Sequence, residues 1–247
     1  MTESIAKVGL LWYNYSMIYA ISDLHLSLDG NKPMEVFGDG WKDYLNQVEA
    51  SWSALVRKED TVLLAGDLSW ALKLENAKAD FAFLDRMPGQ KVIIRGNHDY
   101  WWSSYNKVCL AVPPSVHPLQ NNAYRIDGEG VVVCGSRGWL IADDKSTDED
   151  KKIYNRELIR MQMALDDAVR IRREGDRLFV MTHYPPFGLN FAPTEMTALF
   201  SRYGVEKVIY GHIHGKASYY ELMRTIDGVI YVLTSTDLRD HTLTLIP

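Results

Sequence analysis

The sequence is poor in cysteine and has no excess of basic residues. Its 247 residues include only Cys109 and Cys134, too few for a disulfide framework, which favours a reducing, cytoplasmic location. Lysine and arginine total 27 against 32 acidic residues, so the formal net charge is −5. No basic stripe of the kind that a nucleic-acid groove needs is visible, and we therefore expect no nucleic-acid partner.

Long hydrophobic runs are also missing. No segment reaches the roughly 18–20 apolar residues that a membrane span requires. The nearest candidate, residues 8–21, is interrupted by Asn14 and Ser16. The chain starts without the basic residues of a signal peptide, and Met17 reads as the natural start of a first strand. We interpret residues 1–16 as an N-terminal extension, either disordered or the product of an upstream start, and residues 17–247 as a single domain.

The apolar residues alternate between the period of a strand and that of a helix. Hydrophobic residues make up 47% of the chain and charged residues 24%, a balance typical of globular proteins. Strand-like runs at 17–22, 61–65 and 91–95 are separated by helical patterns near 41–56 and 74–84, which predicts parallel strands joined by helices. The pattern continues with a hairpin at 123–134, a helix at 148–173, strands at 177–182 and 205–210, a helix capped by Thr194, and a strand-rich tail from residue 216.

Polar side chains that can bind metals follow five of these strands. The strand ends read Asp23-Leu24-His25, Gly66-Asp67, Gly96-Asn97-His98-Asp99, His183 and Gly211-His212-Ile213-His214. Five of the seven histidines lie at these points. Ligands of α/β sheets usually bind beyond the carboxyl ends of the strands. We therefore expect these residues to form one site.

The donor set suits divalent transition metals. Imidazole and carboxylate donors without thiolates fit Mn, Fe or Zn better than a structural zinc site. Because side chains alternate along a strand, Asp23 and His25 are expected to point the same way, and the same spacing separates His212 from His214. Gly96 is expected to let the chain turn at the strand end. These donors exceed the needs of one ion, so we favour a two-metal site with a shared carboxylate.

The ordered set D-x-H, G-D, G-N-H-D, H and G-H-x-H resembles the signature of the calcineurin-like metallophosphoesterases. The match runs from about residue 18 to residue 216, and no expected ligand is missing. The chain looks closest to the small bacterial predicted phosphohydrolases of that superfamily. The resemblance implies an α/β fold of four layers, an αββα sandwich of two mixed β-sheets with helices outside.

The resemblance also implies a role for each residue. Asp67 would bridge two metal ions, one held by Asp23, His25 and His214 and the other by Asn97, His183 and His212. His98 would be the catalytic residue, facing the substrate rather than a metal. The cofactors would be two divalent transition metal ions, with manganese expected first and iron or zinc as alternatives. The implied reaction is hydrolysis of a small phosphomonoester or phosphodiester by a hydroxide that bridges the metals.

One position departs from the pattern of the protein Ser/Thr phosphatases in this superfamily. They carry G-D-x-x-D-R-G, whereas this chain has Trp70 in place of the second aspartate and no arginine after it. The difference disfavours a protein phosphatase. It also leaves His98 without an obvious orienting partner.

Other residues near the predicted site have two interpretations each. Arg137, which ends another apolar strand, is either a phosphate-binding fork or a surface arginine. Tyr100, Trp101 and Trp102 either pack in the core or form an aromatic wall beside the metals. We expect an open site, because no cap domain fits in the loops at 103–122, 136–150 and 186–194.

Two other functions compete with the hydrolase. A catalytically silent scaffold that binds protein partners should have lost metal ligands, and this chain keeps all of them. A nuclease needs a groove for the phosphate backbone, for which a net charge of −5 offers little support. The sequence does not choose among nucleotide, lipid-headgroup, cyclic-nucleotide and phosphoprotein substrates, and it leaves the oligomeric state open.

Overall fold

The computed structural model describes residues 16–29, 32–142, 146–215 and 221–247. Within these ranges the chain forms eleven β-strands and five α-helices. In chain order they are β1 (Ile18–Ile21), α1 (Tyr44–Leu55), β2 (Thr61–Leu64), α2 (Lys78–Arg86), β3 (Gln90–Ile94), α3 (Tyr105–Ala111), β4 (Val116–Leu119), β5 (Asn122–Ile126), β6 (Val131–Gly135), α4 (Asp148–Ile171), β7 (Arg177–Met181), α5 (Glu195–Arg202), β8 (Lys207–Tyr210), β9 (Met223–Ile226), β10 (Val229–Leu233) and β11 (Thr244–Leu245).

The strands form two mixed sheets. The first has the order β11-β1-β2-β3-β4, in which β1 to β4 are parallel and β11 is antiparallel to β1. The second has the order β5-β6-β7-β8-β10-β9, with parallel pairs from β6 to β10 and an antiparallel strand at each edge. Helices connect most of the parallel neighbours, and short connections join the antiparallel pairs β5–β6 and β9–β10. The last strand, β11, pairs with β1 from the other end of the chain.

Alternating side chains divide the core into layers. In β1, Ile18 and Ala20 belong to an apolar cluster shared with β6 and β7 of the second sheet. Tyr19 and Ile21 belong instead to a cluster shared with α1, α2 and α3. On the far side, β6, β7 and β8 pack against α4 and α5. Each fully buried aliphatic side chain contributes about 1.5–3 kcal/mol to folding. The four-layer αββα fold is therefore confirmed.

The two helices of the second outer layer begin where their capping residues predict. Thr147 Oγ1 accepts a hydrogen bond from Asp150 N at 3.1 Å, and the Asp150 carboxylate interacts in return with Thr147. Thr194 starts α5 with the same kind of capping box. Acidic residues occupy the first turn of α4 and Arg170 its last turn, which suits the helix dipole. Both predicted helices are confirmed.

Residues 103–122, expected to be a loop, contain helix α3 and strand β4. Pro118 interrupts the strand pattern in the sequence because proline cannot donate a backbone hydrogen bond. The structure accommodates it because β4 is the edge strand of its sheet. The hairpin predicted at 123–134 is confirmed as the antiparallel pair of β5 and β6.

Some expectations fall on residues that the structure does not describe. Of the proposed extension at 1–16 only Ser16 is described, and its hydroxyl donates to Glu129 Oε1 at 2.8 Å. Residues 216–220 are likewise outside the described ranges, and the strand-rich tail is confirmed from β9 onward. The division into an extension and a single domain stays a prediction. Among the helices of the described ranges, none has both the length and the apolarity to cross a membrane.

The fold brings the carboxyl ends of five parallel strands together. Asp23 N, just past β1, donates to Gly66 O, just past β2, at 3.0 Å. Ser22 N donates to Thr234 O at 2.9 Å, which joins the end of β1 to the end of β10 in the other sheet. His98 N, after β3, donates to Asp67 Oδ1 at 2.7 Å, and His212 N, after β8, donates to Asp23 Oδ1 at 3.2 Å. Gly211 N donates to the carbonyl oxygen of His183, after β7, at 3.2 Å. The loops after β1, β2, β3, β7 and β8 therefore meet at one edge of the sandwich.

Candidate metal centre

Seven side chains with nitrogen or oxygen donors converge at this edge. They are the residues that the sequence pattern names as ligands: Asp23, His25, Asp67, Asn97, His183, His212 and His214. Asp23 and His25 do lie in one group, as expected, but alternation along a strand is not the reason, because both residues lie beyond the end of β1. The φ angle is positive, between 47° and 72°, at four of them: Asp23, His25, Asp67 and His212. Left-handed backbone is uncommon for residues with a Cβ, and it occurs here where loops turn their donors inward.

Three of the side chains form a first group. Asp23 Oδ1 lies 3.3 Å from His214 Nε2, and His25 Nε2 lies 3.4 Å from the same nitrogen. The ligand atoms of all three residues lie within 4.8 Å of one another. This spacing allows a single cation to contact all three.

A second group is formed by Asn97, His183 and His212. Asn97 Oδ1 lies 2.7 Å from His183 Nε2 and 2.8 Å from His212 Nδ1. His183 Nδ1 lies 2.9 Å from Ala65 O, to which it donates a hydrogen bond. In the neutral ring this leaves the Nε2 lone pair free for a metal.

The Asp67 carboxylate lies between the two groups. Its Oδ2 is 3.8 Å from His25 Nε2 and 3.4 Å from His183 Nε2. Its Oδ1 accepts a hydrogen bond from His98 N at 2.7 Å. One oxygen thus faces both groups, while a backbone N–H group holds the other.

The electrostatics of the histidines are compatible with metal binding. Burial lowers the pKa of His25 and that of His212, each to about 4, so both rings are neutral, the form that binds metals. Burial also opposes the charged form of His183, but the Asp67 carboxylate raises its pKa to about 9. A cation competes with such a proton for the same lone pair. Imidazole, carboxylate and amide donors at these spacings fit a pair of divalent transition metal ions.

Two glycines are required by close approach to the ligands. A Cβ at Gly96 would overlap Asp67 Oδ1, and a Cβ at Gly211 would overlap Asp23 Oδ2. Gly96 does not have a left-handed φ, so a left-handed turn is not what requires a glycine at the end of β3. Its role is to let the loop after β3 pass against the Asp67 carboxylate.

Further residues orient the ligands, and no sequence motif identifies them. Asp23 Oδ2 accepts hydrogen bonds from Ser22 Oγ at 2.6 Å and from Ser235 Oγ at 2.9 Å. His214 Nδ1 lies 3.0 Å from Asp237 Oδ1. Ser235 and Asp237 follow β10, more than twenty residues after the last motif, so only the tertiary structure places them.

Asp99, the last residue of G-N-H-D, holds two of the ligand loops together. Its carboxylate accepts hydrogen bonds of 2.7–3.1 Å from the backbone N–H groups of Gly96, Leu68 and Ser69, and from the indole N–H of Trp101. Burial raises the pKa of Asp99 to about 6, while these donors favour the ionised form. The residue therefore joins the loop after β2 to the loop after β3, a role that its place in the motif could have suggested.

His98 packs against an aromatic ring. The centroids of the His98 and Trp70 rings are 4.5 Å apart, and His25 stacks on the same tryptophan at 4.7 Å. The buried Nδ1 of His98 has no hydrogen-bond partner in the described part of the chain. Burial lowers the pKa of His98. Trp70 thus packs against the residue for which the sequence showed no obvious orienting partner.

A cavity of roughly 390 Å³ opens beside His98. Three histidines and four large apolar side chains line it: His25, His98, His214, Met34, Phe37, Trp41 and Trp70. Trp101 and Trp102 are buried in the core instead, so the core-packing interpretation holds for them. Tyr100 is exposed, and its ring centroid is 6.1 Å from that of His98.

Arg137 contacts the metal centre through its backbone. Its carbonyl oxygen accepts a hydrogen bond from His183 N at 3.0 Å. Its guanidinium lies over the Trp139 ring, 4.6 Å from the centroid, and lines a separate polar cavity. A direct contact between Arg137 and a phosphate at the metals stays a prediction.

Comparison with known proteins identifies the family of the chain and agrees with its fold. A family model of the calcineurin-like phosphoesterases matches residues 16–216, and the chain belongs to that family. Among solved structures, that of the protein of unknown function AQ665 from Aquifex aeolicus is similar in fold. The TM-score is 0.50 at 14% sequence identity, over 93% of this chain and 95% of that chain. No curated protein matches the chain.

Proposed function

We propose that this protein hydrolyses a phosphomonoester or a phosphodiester with two divalent transition metal ions. The position of Asp67 carries the proposal, because its Oδ2 lies 3.8 Å from His25 Nε2 and 3.4 Å from His183 Nε2. A carboxylate that faces two groups of ligands is what a two-metal centre needs.

Each group of ligands would hold one ion. Asp23, His25 and His214 form the first group, and Asn97, His183 and His212 form the second. Bound ions would polarise the phosphoryl oxygens and lower the pKa of a coordinated water, so that a nucleophile exists near neutral pH. Manganese is our first expectation, with iron and zinc as alternatives, because this donor set suits all three.

His98 would handle the proton of the leaving group. Its Nδ1 is buried, which leaves Nε2 as the nitrogen that can reach a substrate. From Nε2 the ring, when protonated as the imidazolium, would donate a proton to the departing oxygen and become the neutral imidazole. Packing against Trp70 would hold the ring in position for that transfer.

The cavity beside His98 suggests the kind of alcohol that leaves. Met34, Phe37, Trp41 and Trp70 give it apolar and aromatic walls. Lys32 Nζ lies over the Trp70 ring, 3.6 Å from the centroid. Such a cavity favours a small phosphoester whose alcohol is apolar or aromatic.

The catalytically silent scaffold remains the second candidate. A scaffold has no need to keep its ligands, and here all seven ligand side chains are in place, which favours the enzyme. Cys109 and Cys134 are both free, so we expect the hydrolase to work in the reducing cytoplasm. We also expect a small substrate and no nucleic-acid partner, given the acidic net charge.

The test is hydrolysis of p-nitrophenyl phosphate and bis-p-nitrophenyl phosphate by the metal-stripped full-length chain after addition of Mn²⁺. Metal content per chain is counted in the same samples. We expect two ions per chain and turnover that returns with them, and the faster ester distinguishes a monoesterase from a diesterase. Two ions without turnover of either ester would favour the scaffold, and a chain that binds no metal would overturn the proposal.

A further inference from the structure

Three arginines surround a second, smaller cavity next to the metal centre. It measures about 100 Å³ and is lined by Arg95, Arg137 and Arg160, together with Glu157 and several neutral polar residues. Arg95 directly follows β3, Arg137 follows β6 by two residues, and Glu157 and Arg160 lie on α4. The cavity therefore lies where two strand ends meet the long helix of the other outer layer.

The single carboxylate of this cavity balances only one of the three positive charges. Glu157 is 1% exposed and accepts hydrogen bonds from Ser136 Oγ at 2.7 Å and from Arg160 Nη1 at 2.5 Å. The buried Nε of Arg95 has no hydrogen-bond partner among the described residues. Crowded guanidinium groups of this kind are stabilised by an anion.

Neutral donors complete the lining. Gln120 Oε1 accepts a hydrogen bond from Trp102 Nε1 at 2.8 Å, so the amide NH₂ of Gln120 is the end that remains to donate. The hydroxyl of Ser103 lines the same cavity. A volume of about 100 Å³ equals about three water molecules, which is room for one tetrahedral oxyanion.

We propose that this cavity is an anion-binding pocket for a phosphate group, distinct from the metal ligands. The guanidinium groups of Arg95 and Arg137 would bind the phosphate, and Gln120 and Ser103 would donate neutral hydrogen bonds. The phosphate is either a free anion or a second phosphate of the substrate. The second source rests on the proposed function, whereas anion binding itself does not.

The neighbouring ligands suggest how the pocket is coupled to the metal centre. Arg95 lies two residues before Asn97, and the carbonyl oxygen of Arg137 accepts from His183 N at 3.0 Å. Both connections lead to the group formed by Asn97, His183 and His212. A substrate with two phosphates could therefore place one at the metals and the other between the arginines.

The first experiment is a calorimetric titration of the full-length chain with inorganic phosphate, with and without a metal chelator. We expect one phosphate site that survives chelation and that weakens by about tenfold or more in Arg95→Gln and in Arg137→Gln, because charged hydrogen bonds are lost. Arg137→Lys keeps the charge but loses the planar fork, and we expect an intermediate affinity. Arg156→Gln is the matched control, because Arg156 is exposed on α4, the helix that carries Glu157 and Arg160. This variant should bind phosphate as the wild type does.

Circular dichroism of each variant separates lost binding from lost folding. If Arg137→Gln does not fold, the affinity of Arg137→Lys for phosphate tests the role of Arg137 instead. No phosphate binding after chelation would overturn the proposal, as would a site whose affinity is unchanged in both Gln variants.

A separate comparison of KM for a nucleoside 5′-monophosphate and its 3′,5′-bisphosphate identifies the source of the phosphate. If KM is lower for the bisphosphate in the wild type and this difference disappears in Arg137→Gln, the pocket binds a second phosphate of the substrate. Equal KM values, with binding intact, indicate a free anion.

Discussion

The rings of Trp70 and His98 pack against each other with their centroids 4.5 Å apart. Trp70 occupies the position at which the protein Ser/Thr phosphatases of the superfamily carry an aspartate. An aspartate would hold the imidazole by a hydrogen bond and favour its charged form, whereas an indole ring holds it by packing alone. In this chain the His98 ring therefore packs against an indole, and the Asp67 carboxylate contacts His98 through its backbone N.

The first prediction concerns this contact. Trp70→Ala should lower kcat for p-nitrophenyl phosphate by about ten- to a hundredfold, because a small misplacement of a catalytic group is costly. Trp70→Phe keeps an aromatic ring in place, and its kcat should fall much less. Metal content should stay at two ions per chain in the phenylalanine variant. Equal kcat in Trp70→Ala and wild type would show that His98 needs no support from this ring.

Loss of the Asp67 carboxylate and loss of the His98 imidazole should both reduce hydrolysis, but only the first should weaken metal binding. Asp67→Asn should abolish hydrolysis and weaken the binding of both ions, because it removes the charge that both groups of ligands share. His98→Asn should keep both ions and lose most of its turnover. Metal analysis beside steady-state kinetics checks both variants. Loss of metal in His98→Asn would make His98 a ligand, and two ions with full activity in Asp67→Asn would contradict the bridging role.

Asp237 should affect metal affinity without touching a metal. Its Oδ1 lies 3.0 Å from His214 Nδ1, and its Oδ2 accepts from Gly215 N at 2.8 Å. Removal of such an orienting carboxylate typically costs ten- to a hundredfold in metal affinity. We expect this loss at one of the two ions in Asp237→Ala, measured by competition with a chelator. Asp240→Asn, at a nearby exposed position, should leave both affinities unchanged.

Asp99 should matter for stability more than its place beside the ligands suggests. Asp99→Asn replaces one acceptor oxygen by an NH₂ group among donors that need an acceptor. We expect the free energy of unfolding to fall by about 2–4 kcal/mol, because buried donors are left unsatisfied. Urea denaturation of the variant and of the exposed control Glu75→Gln measures the difference. A loss no larger than that of the control would contradict the structural role.

The ion pair of Glu206 and Arg177 should make stability depend on acidic pH. Glu206 accepts two hydrogen bonds from Arg177, at 2.8 Å and 2.9 Å, which lower its pKa from the ordinary value of 4.5 to about 2. A pKa that is lower in the folded state gives stability above pH 4.5 that is lost as the pH falls towards 2. The side chain of Glu206 is 40% exposed, so solvent screening limits the effect to about 0.2–1 kcal/mol.

Glu206→Gln tests this dependence. The difference in unfolding free energy between wild type and variant should be present at pH 7 and shrink at pH 3, and added salt should reduce it at pH 7. Glu174→Gln, at an exposed position, is the matched control. If the difference in unfolding free energy is the same at both pH values, the charge of the pair does not contribute to stability.

The ligand set illustrates how much of the site could be predicted. Parallel strands joined by helices point the same way, so the residues after their carboxyl ends meet at one edge whatever the details of packing. The motifs at these ends therefore sufficed to name the seven side chains that the structure brings together. The hairpin of β5 and β6 and the capped helix α4 were predictable for a similar reason, because local turn and capping chemistry specifies them.

Other features depended on contacts between distant parts of the chain. Pro118 concealed an edge strand, because only the assembled sheet shows that its missing N–H group is not needed. Gly96 was expected to turn the chain, but the side chain of Asp67, 29 residues earlier, determines why a glycine is required. Ser235 and Asp237 support Asp23 and His214 from a segment that carries no motif.

The sequence by itself indicated the family and the identity of the candidate ligands, because the motifs and their spacing are local properties of the chain, and the four-layer fold followed from the resemblance to that family. The tertiary structure alone decided how those ligands face one another, through left-handed residues such as Asp67 and through packing such as that of His98 on Trp70. It also brought Arg95 and Arg137 to the same cavity. Such contacts join residues far apart in the chain, and their geometry exists only once the two sheets and their helices have packed.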